Sequence, residues 1–272
     1  MQRTGAVGAA MTLLWLCVRF LGAFLPGDAA LFCVQIAAAL LPCLLLTALP
    51  REERGEGSVA LTKPTGRAWE HCFLLPLFLF SVMGLSILSA AFAGLFGIAS
   101  PAPTGPLPIL FLNYALAPAF AEEFFFRFLL LRLFLPHGKR TAVWITAILF
   151  ALVHMNLAQF PYALAAGLFL GAVAVSSGSF WIPFLFHLFN NALSLLLSGA
   201  GEIAPLALLG GLALVAALFL RFRSPLVPTS PERTSAAAFL PDKATGRNLL
   251  AAAKTLLVLP ALLCLVLTFL PL

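Results

Sequence analysis

The chain contains very few charged residues. Only 10% of its 272 residues are Asp, Glu, Lys or Arg, whereas 62% are hydrophobic and the mean hydropathy is +1.05. Because a soluble domain carries about 25% charged residues, this composition excludes a soluble globular protein. Apolar runs reach about 20 residues, the length of a membrane-spanning helix, and the alternating pattern of a membrane β-barrel is absent. The sequence therefore predicts an all-α, polytopic bundle of transmembrane helices.

Several catalytic motifs are also absent. The sequence has no Gly-x-Ser-x-Gly nucleophile, no Gly-x-Gly-Asp aspartyl motif and no His-Glu-x-x-His zinc helix. Its cysteines have no metal-ligand spacing and are predicted to be small buried hydrophobic residues. They are Cys17, Cys33, Cys43, Cys72 and Cys264. The residues left for chemistry are a few carboxylates and histidines inside apolar segments.

Apolar segments and basic loops predict the topology. Basic residues cluster after the second, fourth and eighth segments, while the loops after the first, third, fifth and seventh contain no Lys or Arg. By the positive-inside rule, the N-terminus and the basic loops are cytoplasmic, so the net charge of +6 is loop charge and no nucleic-acid partner is expected. About eight or nine spans are expected, in a bacterial cell membrane. The nine candidate segments are 6–25, 29–49, 72–98, 109–135, 141–156, 161–177, 181–199, 203–222 and 250–271.

Two adjacent carboxylates interrupt one of the longest apolar runs. Glu122 and Glu123 lie within residues 108–135, where an unpaired carboxylate is costly in hydrocarbon. Glu123 and Arg127 are four residues apart and share a helical face, so they are predicted to pair. Glu122 points about 100° away and is predicted to keep its carboxylate free, as a general base requires.

Two histidines lie in other apolar segments. His154 follows Phe150 by one helical turn, and Phe150 is predicted to form an apolar wall beside its ring. His187 and Asn191 are four residues apart and share one face of the seventh segment. Each histidine alone is equally consistent with an interhelical hydrogen bond.

Residue counting tests whether these side chains lie at one depth. Glu122 and His154 are each about 20 Å from the loop that joins their segments, so they match. His187 is only about 9 Å into its segment. It reaches the same depth only if the uncharged connection at 176–182 is itself sunk into the membrane.

Three ordered motifs in separate apolar segments give the chain a family resemblance. Glu122-Glu123-x-x-x-Arg127, then Phe150-x-x-x-His154, then His187-x-x-x-Asn191 resembles the CPBP family. This family contains the CAAX prenyl endopeptidases and the bacteriocin-processing or immunity membrane proteins, also called Abi. The resemblance covers about residues 70–200. It suggests three regions: two spans and a cytoplasmic loop (1–70), a CPBP-like catalytic core (71–200), and C-terminal spans with a flexible linker at 224–247 (201–272).

The resemblance implies an intramembrane endopeptidase acting on a membrane-associated, prenyl-type or leader-peptide substrate. It implies that Glu122 and His154 activate water and that His187 and Asn191 stabilise the oxyanion of the tetrahedral intermediate. Glu123, Arg127 and Phe150 would support these residues. The favoured chemistry is metal-free and needs no cofactor. The alternative is a zinc site formed by Glu122, His154 and His187.

Two non-protease functions remain open at this stage. A non-catalytic immunity or scaffold protein would keep the same fold and would tolerate the loss of Glu122. A proton-coupled transporter would use buried Glu and His as a relay, but such transporters typically contain paired repeats with broken helices. No internal repeat is visible in this sequence.

Overall fold

The structure is a computed structural model that describes residues 2–22, 24–46, 70–95, 103–198 and 240–268. Within these ranges the secondary structure is helical and no β-strand is formed, which confirms the all-α class. The elements are α1 (Gln2–Gly22), α2 (Asp28–Leu40), α3 (Cys43–Leu46), α4 (Leu75–Gly94), α5 (Leu107–His137), α6 (Lys139–Leu152), α7 (Phe160–Ser177), α8 (Trp181–Ser198), α9 (Lys243–Ala252) and α10 (Val258–Thr268).

Six of the described helical segments are long and apolar enough to cross a membrane. They are Arg3–Gly22, Asp28–Leu46, His71–Gly94, Leu107–His137, Phe160–Ser177 and Trp181–Ser198. These helices make the chain an integral membrane protein, but the expected count of eight or nine spans is not confirmed. The fifth predicted segment is the helix α6 of only 14 residues. The eighth, 203–222, and the basic loop at 50–70 lie outside the described residues.

The helix α5 carries the two glutamates and is not a uniform α-helix. Two π-helical segments, Phe111–Leu116 and Phe124–Leu130, flank the α-helical turns Ala117–Glu123. These central turns pack between α2 and α8. The glutamates therefore lie in the middle of the bundle, enclosed by neighbouring helices.

Pro118 and Gln35 account for the hydrogen bonding of the backbone in the first π segment. The N–H of Ala117 bonds to Leu112 O, one residue further back than in an α-helix, and Pro118 has no N–H to offer. The carbonyl of Asn113 consequently lacks its usual partner in α5. The Nε2 of Gln35 on α2 donates to this carbonyl at 3.0 Å. A side chain of α2 thus completes the backbone of the helix that carries Glu122 and Glu123, as a buried carbonyl requires.

The turn between α7 and α8 lies inside the protein. Gly178 ends α7 in the left-handed conformation with φ 62°, where glycine is favoured. Ser179 and Phe180 then follow at 3% and 0% exposure. The Ser177 hydroxyl accepts from Ser179 N at 3.3 Å, and the Ser179 hydroxyl accepts from Trp181 N at 3.1 Å. This turn, buried within the protein, precedes α8, and His187 on α8 comes within 3.9 Å of Glu122; the depth of the turn in the membrane stays a prediction.

At one end of the bundle, three parts of the chain are in contact: the start of α1, the α5–α6 corner and α9. His137 Nε2 and the Thr4 hydroxyl are 3.0 Å apart, and Arg140 pairs with Asp242 at 2.8 Å. Asp242 also caps α9, which begins at Lys243. The predicted linker at 224–247 is therefore wrong for its last five residues, which the cap makes helical. Residues 224–239 of that linker lie outside the described residues.

The prediction that all five cysteines are buried is also wrong. Cys264 is buried, but Cys43 and Cys72 are partly exposed and Cys17 and Cys33 are exposed. The reason is that hydrocarbon surrounds a membrane bundle, so an apolar segment favours small hydrophobic residues on its outer face as well as inside.

Candidate active site

The fully buried Glu123 lies at the centre of the polar cluster. Its Oε2 is 3.1 Å from Arg127 Nε, an ion pair between side chains that are 0% and 1% exposed. The two atoms do not form a hydrogen bond in spite of this distance, and neither has another hydrogen-bond partner within the described chain. The predicted pairing of Glu123 with Arg127 is confirmed. The sequence did not predict a second contact: Glu123 Oε1 accepts from His187 Nδ1 at 2.8 Å.

Arg127 is held by three different groups. Its guanidinium pairs with Glu123, lies 4.5 Å from the centroid of the Phe150 ring and donates to the carbonyl of Gly167 at 3.5 Å. Gly167 is needed for the close approach of α6 and α7, since a Cβ there would lie 2.9 Å from Ala147 Cα. A buried guanidinium needs such partners because desolvation is costly. Arg127 thus joins α5, α6 and α7 behind the site.

Glu122 stands apart from these contacts. It is 8% exposed, and its Oε2 is 3.9 Å from His187 Nε2, which is beyond hydrogen-bond range. Within the described residues, no hydrogen bond occupies its carboxylate. This arrangement leaves Glu122 open to a water molecule or a substrate.

His154 lies just beyond the end of a helix. The sequence predicted a helix over 141–156, but α6 ends at Leu152. The ring turns back so that Nδ1 donates to the carbonyl of Phe150 at 2.7 Å, which satisfies one of the last carbonyls of α6. In the neutral ring, Nε2 is then left as an acceptor. Phe150 lies 5.0 Å from the His154 ring and 5.7 Å from the His187 ring, so it is the apolar wall that the spacing suggested.

His187 is oriented by Glu123. Because a carboxylate only accepts, Nδ1 of His187 carries the proton, and Nε2 faces Glu122. Four residues later, Asn191 shares the same face of α8. Its Oδ1 accepts from the Nδ2 of the neighbouring Asn190 at 3.4 Å.

A cavity of about 100 Å³ brings most of these groups together. His154, His187, Asn190 and Asn191 line it with Tyr162 and Phe150. Side chains of α4 and α7, including Phe78, Val82, Met83 and Leu170, form its apolar wall. The volume is sufficient for several water molecules. The structure therefore places both histidines and Asn191 around one cavity, with Glu122 adjacent to His187.

Sequence reasoning missed three features of this cluster. The contact between His187 and Glu123 joins two segments whose relative depth depends on the buried turn. Tyr162 is one of only two tyrosines in the chain, which was a usable signal because a polar ring is rare here. Asn190 was passed over beside Asn191, although an Asn pair in an apolar helix is itself unusual.

Zinc is the alternative that the sequence left open. Among the described residues, no three His, Cys, Asp or Glu side chains are arranged to hold a metal ion. His187 Nδ1 donates to Glu123, and Nε2 lies 3.9 Å from Glu122 Oε2; a carboxylate on the other ring nitrogen is also how zinc-binding histidines are commonly oriented. Metal-free and zinc-dependent activation of water therefore both stay predictions.

A family model matches the part of the chain that contains these residues. Residues 104–193 match the family model of the type II CAAX prenyl endopeptidase Rce1-like proteins. The match covers about a third of the chain, from the start of α5 into α8, and confirms the resemblance drawn from the motifs. No curated protein matches the chain, and no solved structure matches it. The apolar helices and the family match together support an integral membrane protease.

Proposed function

We propose that this protein is an intramembrane endopeptidase in which Glu122 and His154 activate water to hydrolyse a peptide bond. The observation that carries the proposal is the difference between two adjacent carboxylates. Glu123 is bound by Arg127 and His187, whereas Glu122 has no hydrogen bond within the described chain and faces His187. An unengaged carboxylate beside the His187 imidazole, at the side of a cavity that His154 lines, is what a water-activating base requires.

The reaction follows from the orientation of each group. A water held between Glu122 and His154 Nε2 attacks the scissile carbonyl carbon, and Glu122 accepts its proton. His187 Nε2 and the amide of Asn191 donate to the oxyanion that forms. Glu122 then returns the proton to the departing nitrogen, and the C–N bond breaks. Because His187 Nδ1 already donates to Glu123, donation from Nε2 requires the doubly protonated ring.

The proposed substrate is a peptide segment that reaches the cavity within the bilayer. The mixed lining, with polar groups of α8 opposite apolar side chains of α4, suits a peptide flanked by hydrocarbon. Membrane-associated, prenylated and leader-type peptides meet this requirement. We propose no nucleic-acid partner. We propose that the N-terminus is cytoplasmic, because basic loops follow alternate apolar segments, and that the membrane is a bacterial cell membrane.

Cleavage of defined peptides tests the proposal. Purified protein in liposomes is given three quenched-fluorescent peptides: a farnesylated CAAX peptide, the same peptide without the lipid, and a single transmembrane helix. Wild type is expected to cleave at least one. Glu122→Gln keeps the shape but removes the base, and kcat should fall by about 10³-fold or more. Equal cleavage by Glu122→Gln would disprove the assignment, and a scaffold role would be supported if this variant kept full function in cells without cleavage.

Metal analysis separates the two water-activating chemistries. If the site is metal-free, the purified protein contains far less than one equivalent of zinc and strong chelators leave cleavage intact. Stoichiometric zinc that is lost together with activity in His154→Ala would instead establish a metalloprotease. In both cases the bond hydrolysed is a peptide bond.

A further inference from the structure

Two neighbouring asparagines on α8 share one hydrogen bond at the cavity wall. Asn190 Nδ2 donates to Asn191 Oδ1 at 3.4 Å, and both residues line the cavity. The other end of the Asn190 amide, Oδ1, is buried and has no hydrogen-bond partner within the described chain. Asn190 therefore does not tie α8 to another described helix. Its one described side-chain bond is to Asn191.

This bond matters because the two ends of an amide have opposite effects on an oxyanion. The NH₂ group of Asn191 would stabilise developing negative charge, whereas its carbonyl oxygen would repel it. A rotation of 180° about the last side-chain bond exchanges the two ends at almost no steric cost. Something other than shape must therefore decide which end of Asn191 is free to donate.

The burial of Asn190 favours the observed orientation over its reverse. If both amides were turned, Asn191 would donate to Asn190 and the buried, unpartnered end of Asn190 would be its NH₂ group. An unpaired carbonyl oxygen is tolerated in protein interiors more often than an unpaired N–H. In the observed orientation Asn191 Oδ1 is occupied, and its NH₂ group is left to donate.

We propose that Asn190 is a positioning residue that holds the Asn191 amide with its NH₂ group available to the oxyanion. The inference rests on the proposed function, because Asn191 is an oxyanion donor only if the protein hydrolyses peptide bonds. Asn190 itself donates nothing to the reacting atoms. It acts through Asn191 by occupying the acceptor end of that amide.

Asn190→Asp should reverse the preferred orientation of the Asn191 amide with almost no change in the size of the side chain. An ionised Asp only accepts, so it draws the NH₂ group of Asn191 toward itself and away from the oxyanion. On the peptide that wild type cleaves, kcat should fall toward the level of Asn191→Ala, by about 10²-fold, with KM within about threefold. Asn190→Ala removes the donor without adding a competitor, so it should lose less than Asn190→Asp.

A double variant and a pH series distinguish positioning from a structural role. In an Asn191→Ala background, Asn190→Asp should add little further loss, because the residue it acts through is gone. The deficit of Asn190→Asp relative to wild type should shrink as pH falls, since a protonated Asp regains an O–H donor. A defect caused only by misfolding would show neither effect.

The possible results separate this inference from the proposed function. If wild type cleaves none of the three peptides, both are overturned. If Glu122→Gln abolishes cleavage but Asn190→Asp retains wild-type kcat, only the inference is overturned. An equally large loss for Asn190→Asp in the presence and absence of Asn191 would also overturn it, because the carboxylate would then act directly on the site.

Discussion

Two of the carboxylate–arginine pairs among the described residues lie in opposite settings. In the middle of the bundle, Glu123 and Arg127 lie 3.1 Å apart at 0% and 1% exposure. At the end of the bundle, Asp242 and Arg140 are closer, at 2.8 Å, but are 48% and 38% exposed. Judged by distance alone, the exposed pair should be the more costly of the two to break. Burial reverses that order, because a charge left without its partner in the interior cannot recover its hydration.

The two pairs also differ in what they hold. Glu123 is bonded to Arg127 and to His187, so it fixes a residue of the proposed active site. Asp242 caps α9 and fixes the position of a helix that touches the outside of α6. The buried pair thus orients a residue of the proposed active site, whereas the exposed pair attaches a peripheral helix. Three substitutions test this ranking.

Glu123→Gln should have the largest effect on stability. It leaves Arg127 as an uncompensated buried cation, which costs about 3–5 kcal/mol. The Gln oxygen still accepts from His187, so activity should fall less than in Glu122→Gln. Unfolding in mixed detergent micelles measures the stability, and cleavage of the test peptides measures the activity.

The double variant Glu123→Gln, Arg127→Met provides the control for this prediction. It removes the stranded cation, so much of the lost stability should return. Activity should not return, because His187 still lacks its charged partner. If the single and double variants were equally stable, burial would not be the source of the difference between the two pairs.

Gln35→Leu should have an intermediate effect, because it breaks a buried contact without stranding a charge. It removes the only described donor to the Asn113 carbonyl, which Pro118 leaves open, at a cost of about 1–3 kcal/mol. In a Pro118→Ala background the restored N–H offers α5 its own donor, so Gln35→Leu should cost less there. The same unfolding assay measures both. Equal costs in the two backgrounds would show that Pro118 is not why Gln35 is needed.

The sequence predicted contacts that depend on local geometry. The pairing of Glu123 with Arg127 follows from helical spacing alone, and Phe150 lies beside His154 for the same reason. Long apolar segments identified the helical membrane fold because bilayer thickness sets their length. These features need no knowledge of how the helices pack together.

Features that depend on packing could not be read from the sequence. The contact between His187 and Glu123 requires a turn buried with its own hydroxyl bonds, which no residue count reveals. Likewise, the first π segment of α5 leaves the Asn113 carbonyl without its usual partner in α5, and Gln35 on another helix supplies the donor. The end of α6 before His154 was missed because the side chain itself completes the helix terminus.

Of the three positions, substitution of Asp242 should have the smallest effect on stability. Thr245 N donates to Asp242 Oδ1 at 2.7 Å, and this bond, with Arg140 nearby, lowers the pKa of the Asp242 carboxyl from 3.8 to about 2. Because the pKa is lower in the folded state, the ionised carboxyl stabilises the helix cap above about pH 3.8, and this contribution is lost as pH falls toward 2.

Asp242→Asn keeps a good capping oxygen, so hydrogen exchange at the buried Thr245 amide should change little at pH 7. Asp242→Ala should accelerate it, and the advantage of wild type over Asp242→Ala should shrink between pH 4 and 2. A global loss of stability in Asp242→Asn as large as that of Glu123→Gln would break the ranking, because an exposed pair would then matter as much as the buried one.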